Sequence, residues 1–259
     1  MRKTVWQMTV TTAVVGALSM FLRWLQMQNV LKDVGGGNLL VARGSGYSIA
    51  VLLAMVCSAA LAVFFTLRLR KGLITPDKPA PLRSQNIAQL VLAAIACALL
   101  LIGAVLMLAK GSGFQKFLGF LLLLCAAAIA RLTLVKGNLG GKYFAAFCAA
   151  FVAVVMSAWL IFAYKENAED PQLWLFVPGI LAVASAALSF YYLAGYPFGR
   201  AKPARALLVT QLATYFSLIA AAYPGDPAQT GTARTFIFLA LALLFLVESW
   251  AVVEQKCTM

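Results

Sequence analysis

The chain has 259 residues, 63% of them apolar and 11% charged, with a mean hydropathy of +0.90; an average soluble domain is about 45–50% apolar and about 25% charged. No soluble fold of this size has enough interior to hide that much apolar surface, so composition places the chain in lipid and excludes the disordered, collagen-like and disulfide-rich secreted classes. A net charge of +13 would suggest nucleic acid in a soluble protein, but here the basic residues fall in short segments between apolar runs, where they meet anionic headgroups; the expected partner is the bilayer, not nucleic acid.

Runs long enough to cross the hydrocarbon layer predict eight helices, near 5–24, 48–67, 87–109, 117–135, 143–163, 172–194, 206–223 and 235–253. Only a helix satisfies its own backbone in lipid without closing a barrel, so the expected fold class is all-α, a polytopic transmembrane bundle forming one integral domain. The first run follows Met1-Arg2-Lys3 and contains Ala17-Leu18-Ser19, a signal-peptide pattern. It continues past that point to Trp24, which favours a retained helix. Arg23 and Gln26 end this run; they mark the interface beside Trp24 or, in the functional alternative, bind an anionic solute. Gly35-Gly36-Gly37 and Gly44-Ser45-Gly46 follow, without the strand and helix of a nucleotide site, and read as a flexible or re-entrant loop.

Gln89 opens the third run and Gln211 stands at a matched depth in the seventh. Each could hydrogen-bond a ligand, or the two could bond each other as helix glue. Arg131 ends the fourth run, and Glu248 in the eighth is the only acidic residue inside any of them. A buried ionisable group in a span is a functional candidate by default. The pair suggests a structural ion pair or two snorkelling chains on one reading, and a gate or proton-coupled carboxylate on the other. Pro178-Gly179 in the sixth run either breaks that helix at a binding site or bends its outer end. Small residues recur at every fourth position in Ala145-Ala149-Ala153 and Ala213-Ser217-Ala221, which suits a compact bundle or a homodimer face.

Fourteen of the 21 Lys and Arg fall on the side of the N-terminus, which places both termini in the cytoplasm by the positive-inside rule. Tryptophans 6, 24, 159, 174 and 250 all fall near predicted span ends, where indole anchors at the lipid boundary. A weak self-similarity relates Cys57-Ser58-Ala59-Ala60-Leu61 to Ala184-Ser185-Ala186-Ala187-Leu188, and Lys78-Pro79-Ala80 to Lys202-Pro203-Ala204. It suggests a parallel four-plus-four repeat with halves 1–136 and 137–259 and a site between them.

Histidine is absent, which removes the commonest general base and metal ligand and excludes bis-histidine haem, His-Glu-x-x-His zinc and Ser-His-Asp chemistry. Cys57, Cys97, Cys125 and Cys148 lie singly in separate runs and read as small apolar side chains. Cys257 lacks the three-residue tail of a prenylation box. No cofactor, metal or catalytic residue is expected, and the chain is not read as an enzyme. The expectation is a bacterial plasma-membrane protein that binds or transports a small, apolar or anionic solute. Its ligand-binding or gating candidates are Arg23, Gln89, Arg131, Pro178, Gln211 and Glu248. The alternative is an accessory or sensory membrane protein acting through helix contacts with a partner.

Overall fold

A computed structural model describes residues 2–33, 46–70, 86–133, 141–167, 173–196, 200–222 and 230–254. The glycine-rich segment after α1, the Pro79 loop, Asp170-Pro171 and Cys257 lie outside the described residues, as does the side chain of Trp174. Eight helices account for nearly all of what is described: α1 (Arg2–Asp33), α2 (Gly46–Arg70), α3 (Ile87–Lys110), α4 (Phe114–Thr133), α5 (Gly141–Asn167), α6 (Leu173–Ala194), α7 (Pro203–Ala221) and α8 (Gly231–Glu254). All eight are long and apolar enough to cross a membrane, and the described residues contain no strand. The chain is an eight-span, all-α, multi-pass membrane protein. Large apolar side chains such as Leu18, Phe21, Leu52, Val56, Val105, Phe147 and Ile161 are exposed on the bundle surface, which suits hydrocarbon and no aqueous fold.

Packing follows a closed cycle. α3 packs on α4, α4 on α5, α5 on α6, α6 on α7, α7 on α8, and α8 returns to α3. The α1–α2 hairpin lies outside this six-helix ring against α7, with α1 also touching α8. Consequently α7 and α8 are the most enclosed helices, 72% of each span window being buried. Exchanging the two proposed halves would map the α3–α8 contact onto α7–α4 and the α6–α7 contact onto α2–α3. Neither of those pairs is closely packed among the described residues.

Two glycines bring α3 close to its neighbours α8 and α4. A Cβ on Gly103 would meet Ile237 Cγ1 at 2.6 Å and the Ala233 carbonyl oxygen at 3.0 Å, and one on Gly119 would meet the Ala104 carbonyl oxygen and Leu108 N at 3.1 Å. The α3–α4 turn closes on Gly113 at φ +44°, a left-handed conformation that suits glycine.

Aromatic rings fill the centre of the cycle. Trp159 of α5 stacks on Phe238 of α8 with centroids 5.6 Å apart, and Phe190 of α6 tilts against Phe245 of α8 at 5.2 Å. Trp159 is therefore a core residue, 4% exposed, and not the interfacial anchor its place near a span end suggests. Trp6 and Trp24 do face outward, and Trp6 meets Trp250 edge-on. Both small-residue ladders point inward: Ala149, Ala213, Ser217 and Ala221 are buried, and Ala145 and Ala153 pack against the same core. These two ladders build the bundle.

Candidate functional site: a carboxyl at the ring's end and a polar seam

Glu248 enters the ring from α8. On that helix Ala233 and Ile237 face α3 at Gly103, whereas Phe238 and Phe245 face α5 and α6. At about 100° per residue Glu248 falls between these two lines, so its side chain heads for the ring's centre. It is 2% exposed, and its Oε2 has no hydrogen-bond partner. Because α6 and α8 run in the same direction with Phe190 beside Phe245, the residues following α6 arrive at the level of Glu248.

The residue that arrives there is Tyr196. Its N–H donates to the Leu193 carbonyl at 3.1 Å, while that of Gly195 donates to Tyr192 at 3.2 Å. These two bonds fold the chain back so that the Tyr196 ring is buried, 3% exposed, and its hydroxyl also lacks a partner. Burial pushes the Tyr196 phenol above its ordinary value, and the charge of Glu248 pushes it further the same way. No pattern in the sequence marks Tyr196: it lies past the end of a span, where tyrosine ordinarily anchors at the interface.

Gln89 stands on the face of α3 that carries Gly103, fourteen positions nearer the chain ends, which in an antiparallel pair brings it to the α8 turn of Glu248 and Ser249. It is fully buried, and its Oε1 accepts the Asn86 N–H at 3.4 Å as the third residue of a capping box. Its side chain thus serves its own helix. Gln211 faces the other way, on the α7 line of Leu207, Tyr215 and Leu218 that meets the α1–α2 hairpin. The two glutamines do not pair.

Arg131 is likewise separated from Glu248. It is half-buried, with its guanidinium carbon 6.0 Å from the centroid of the Phe144 ring on α5. Pro178 is buried inside α6, and the helix continues through it from Leu173 to Ala194. It removes one backbone donor without breaking the helix, and a Cβ on Gly179 would make only ordinary contact with Phe238 Cζ at 3.7 Å.

Arg23 is a correction to the interfacial reading. It is 2% exposed, and its Nη1 donates to Gln26 Oε1 at 2.6 Å, three residues on and on the same helix face. Gln26 Nε2 donates in turn to Ser48 Oγ on α2 at 3.0 Å. Met8, Thr12, Ser19, Arg23 and Gln26 form one buried stripe on α1. The charge at its far end lies inside the bundle, while Trp24 beside it faces out.

Among the described residues no three His, Cys, Asp or Glu side chains group as metal ligands. Comparison with known proteins yields no family model, no curated sequence and no solved structure that matches the chain.

Proposed function

We propose that this chain is a non-enzymatic bacterial plasma-membrane protein that binds or transports a small solute, with Glu248 as the group through which protons act on it. The observation that carries this reading is the Glu248 carboxyl, the only acidic group within the spans, buried at the ring's end with an oxygen unpartnered beside a buried, unpartnered phenol. An ionisable residue kept inside a membrane-spanning helix is costly and as a rule faces the bundle interior, where it marks a functional position. A single carboxyl with no cationic partner among the described residues takes up or releases one proton, the coupling that intramembrane carboxyls serve in proton relays. The excess of basic residues on the side of the chain ends supports a cytoplasmic location for both termini. An accessory protein working through helix contacts would need an exposed small-residue face, and the two ladders are turned inward.

The test is a thermal-shift screen of purified protein against neutral, anionic and cationic metabolites, repeated across a pH series. A stabilising solute whose effect varies with pH in the wild type and no longer does so in Glu248→Gln is the expected outcome. A solute effect with the same pH profile in both proteins would remove Glu248 from the mechanism.

A further inference from the structure

Between the α1–α2 hairpin and α7 runs a second set of buried polar groups, distinct from the ring's end. Among the described residues α2 packs mainly on α1 and α7, with Phe65 and Leu69 also sharing a cluster with Val252 and Val253 of α8, and its buried side chains lie on the one face turned toward that junction. Ser58 and Thr66 are among them, and neither hydroxyl has a hydrogen-bond partner. Gln211 contributes from α7. It is fully buried, with both its Nε2 and its Oε1 unpartnered.

Levels along the helices follow from the cluster that joins Leu69, Leu207 and Met8 near the chain ends. Thr66 lies three residues from Leu69, and Gln211 four from Leu207. At about 1.5 Å per residue both stand roughly 5–6 Å further in, and Ser58 about 16 Å further in. Between them Tyr215 donates its hydroxyl hydrogen to Thr12 Oγ1 at 3.4 Å, joining α7 to α1. The unpartnered atoms therefore extend through the middle of the membrane along one junction.

Two comparisons set them apart from ordinary buried hydroxyls. Thr210, Thr214, Ser185, Ser189 and Ser19 each donate to the carbonyl four residues earlier, the usual way a serine or threonine satisfies itself within a helix. Ser58 and Thr66 could do the same and do not. A buried amide or hydroxyl left without a partner is costly, and Gln211 leaves both ends of its carboxamide in that state. The stretches 9–19 of α1, 51–66 of α2 and 207–218 of α7 contain no Asp, Glu, Lys or Arg. The junction presents donors and acceptors without net charge.

We infer that the seam between the α1–α2 hairpin and α7, centred on Gln211, Thr66 and Ser58, is a binding site for a small uncharged solute that carries both hydrogen-bond donors and acceptors, a primary amide being the best match. This deepens the solute-binding reading and rests on it, moving the solute from between two four-helix halves to the flank of the ring. A carboxamide side chain with both ends free pairs most fully with another amide, which returns one donor and one acceptor. The neighbouring hydroxyls accept or donate as the guest requires.

Cysteine accessibility tests the site without requiring transport or a pH effect. Ser58→Cys and Thr66→Cys are labelled in membranes with a hydrophilic, membrane-impermeant thiol reagent, alone and in the presence of acetamide, urea, acetate or methylammonium. The wild-type chain gives the background to subtract: Cys97, Cys125 and Cys148 are buried and Cys57 is exposed on the outer surface of α2, toward lipid, and Cys257 contributes equally in every variant. Labelling several-fold above background, slowed several-fold by acetamide and urea but not by the two ions, is expected. Gln211→Leu abolishes that protection while leaving labelling in place. Background-level labelling of both variants means a dry seam and overturns the inference. So does labelling that no probe slows, which would leave water alone, or labelling that the ions slow equally. If protection is found while Glu248→Gln keeps the wild-type pH profile, the seam stands and the role of Glu248 falls.

Discussion

Gly103 lies directly against Ile237, close enough that a Cβ would stand 2.6 Å from Ile237 Cγ1 and 3.2 Å from its backbone nitrogen. Side-chain movement could relieve the first contact, but not the contacts with the Ile237 nitrogen and the Ala233 carbonyl oxygen. Gly103→Ala therefore has to push α3 away from α8, at about 1–3 kcal/mol for an overpacked core. Gly179→Ala meets nothing closer than 3.7 Å and removes a glycine that costs roughly 0.5–1 kcal/mol in a helix interior. Thermal unfolding in detergent should show the first variant less stable than wild type and the second equal or more stable. A Gly103→Ala protein that melts with the wild type would mean that the α3–α8 contact is looser than this register requires.

That register also determines which parts of the molecule were legible in the sequence. Hydropathy reads whether a segment is long and apolar enough, and all eight spans follow from it, with shifts such as α4 beginning at Phe114 where 117 is expected. It does not read which way a face points. Gln89 and Gln211 share a depth, yet one caps its own helix beside α8 and the other faces the hairpin. Trp159 and Trp6 both sit near span ends, yet one stacks in the core and the other is 62% exposed. Arg131 and Glu248 match in sequence position, yet their helices are not close neighbours. Each distinction depends on helix order around the ring, which arises from packing between segments far apart in sequence. Tyr196 was beyond reach for a related reason, because only the folded turn after α6 takes it out of the interface.

Tyr196 and Glu248 make a prediction at alkaline pH. With its folded-state value raised by burial and then by Glu248, the phenol releases its proton more readily from the unfolded chain, whose tyrosine value is about 10. The stability associated with the neutral phenol is complete below that value and is lost as pH rises through the folded-state value. Tyr196→Phe removes this loss, and Glu248→Gln reduces it by removing the second cause. Melting temperatures across an alkaline series should decline least in Tyr196→Phe. Three superimposable declines would mean that the phenol titrates outside the bundle core.

The Arg23, Gln26 and Ser48 chain predicts unequal effects from its members. Gln26→Leu removes an acceptor from a buried guanidinium, and hydrogen bonds to charged groups contribute about 1.5–3 kcal/mol. Ser48→Ala removes a neutral acceptor from Gln26, worth about 0.5–1.5 kcal/mol. Gln26→Leu should accordingly lower thermal stability about twice as much as Ser48→Ala. Arg23→Lys should not restore the wild-type value, because a shorter, compact ammonium lacks the fork that reaches Gln26. An Arg23→Lys protein as stable as wild type would mean that charge alone, and not the guanidinium geometry, is what this position requires.

Trp6 and Trp250 bring the first and last helices to the same end of the bundle, their rings meeting edge-on with centroids 6.4 Å apart. An even number of crossings requires this, and an aromatic contact between the two ends cannot form if either helix is inverted or left outside the membrane. Fourteen of the 21 basic residues belong to that end, and insertion keeps Lys and Arg in short loops on the cytoplasmic side. Reporters fused to each terminus should therefore both read cytoplasmic, while one inserted between α1 and α2 should read the opposite side. Replacing Arg68 and Arg70, which lie in the last turn of α2, weakens the bias locally and should leave the termini where they are, because the remaining excess still favours that side. Opposite readings from the two termini would break the pairing of α1 with α7 and with it the seam.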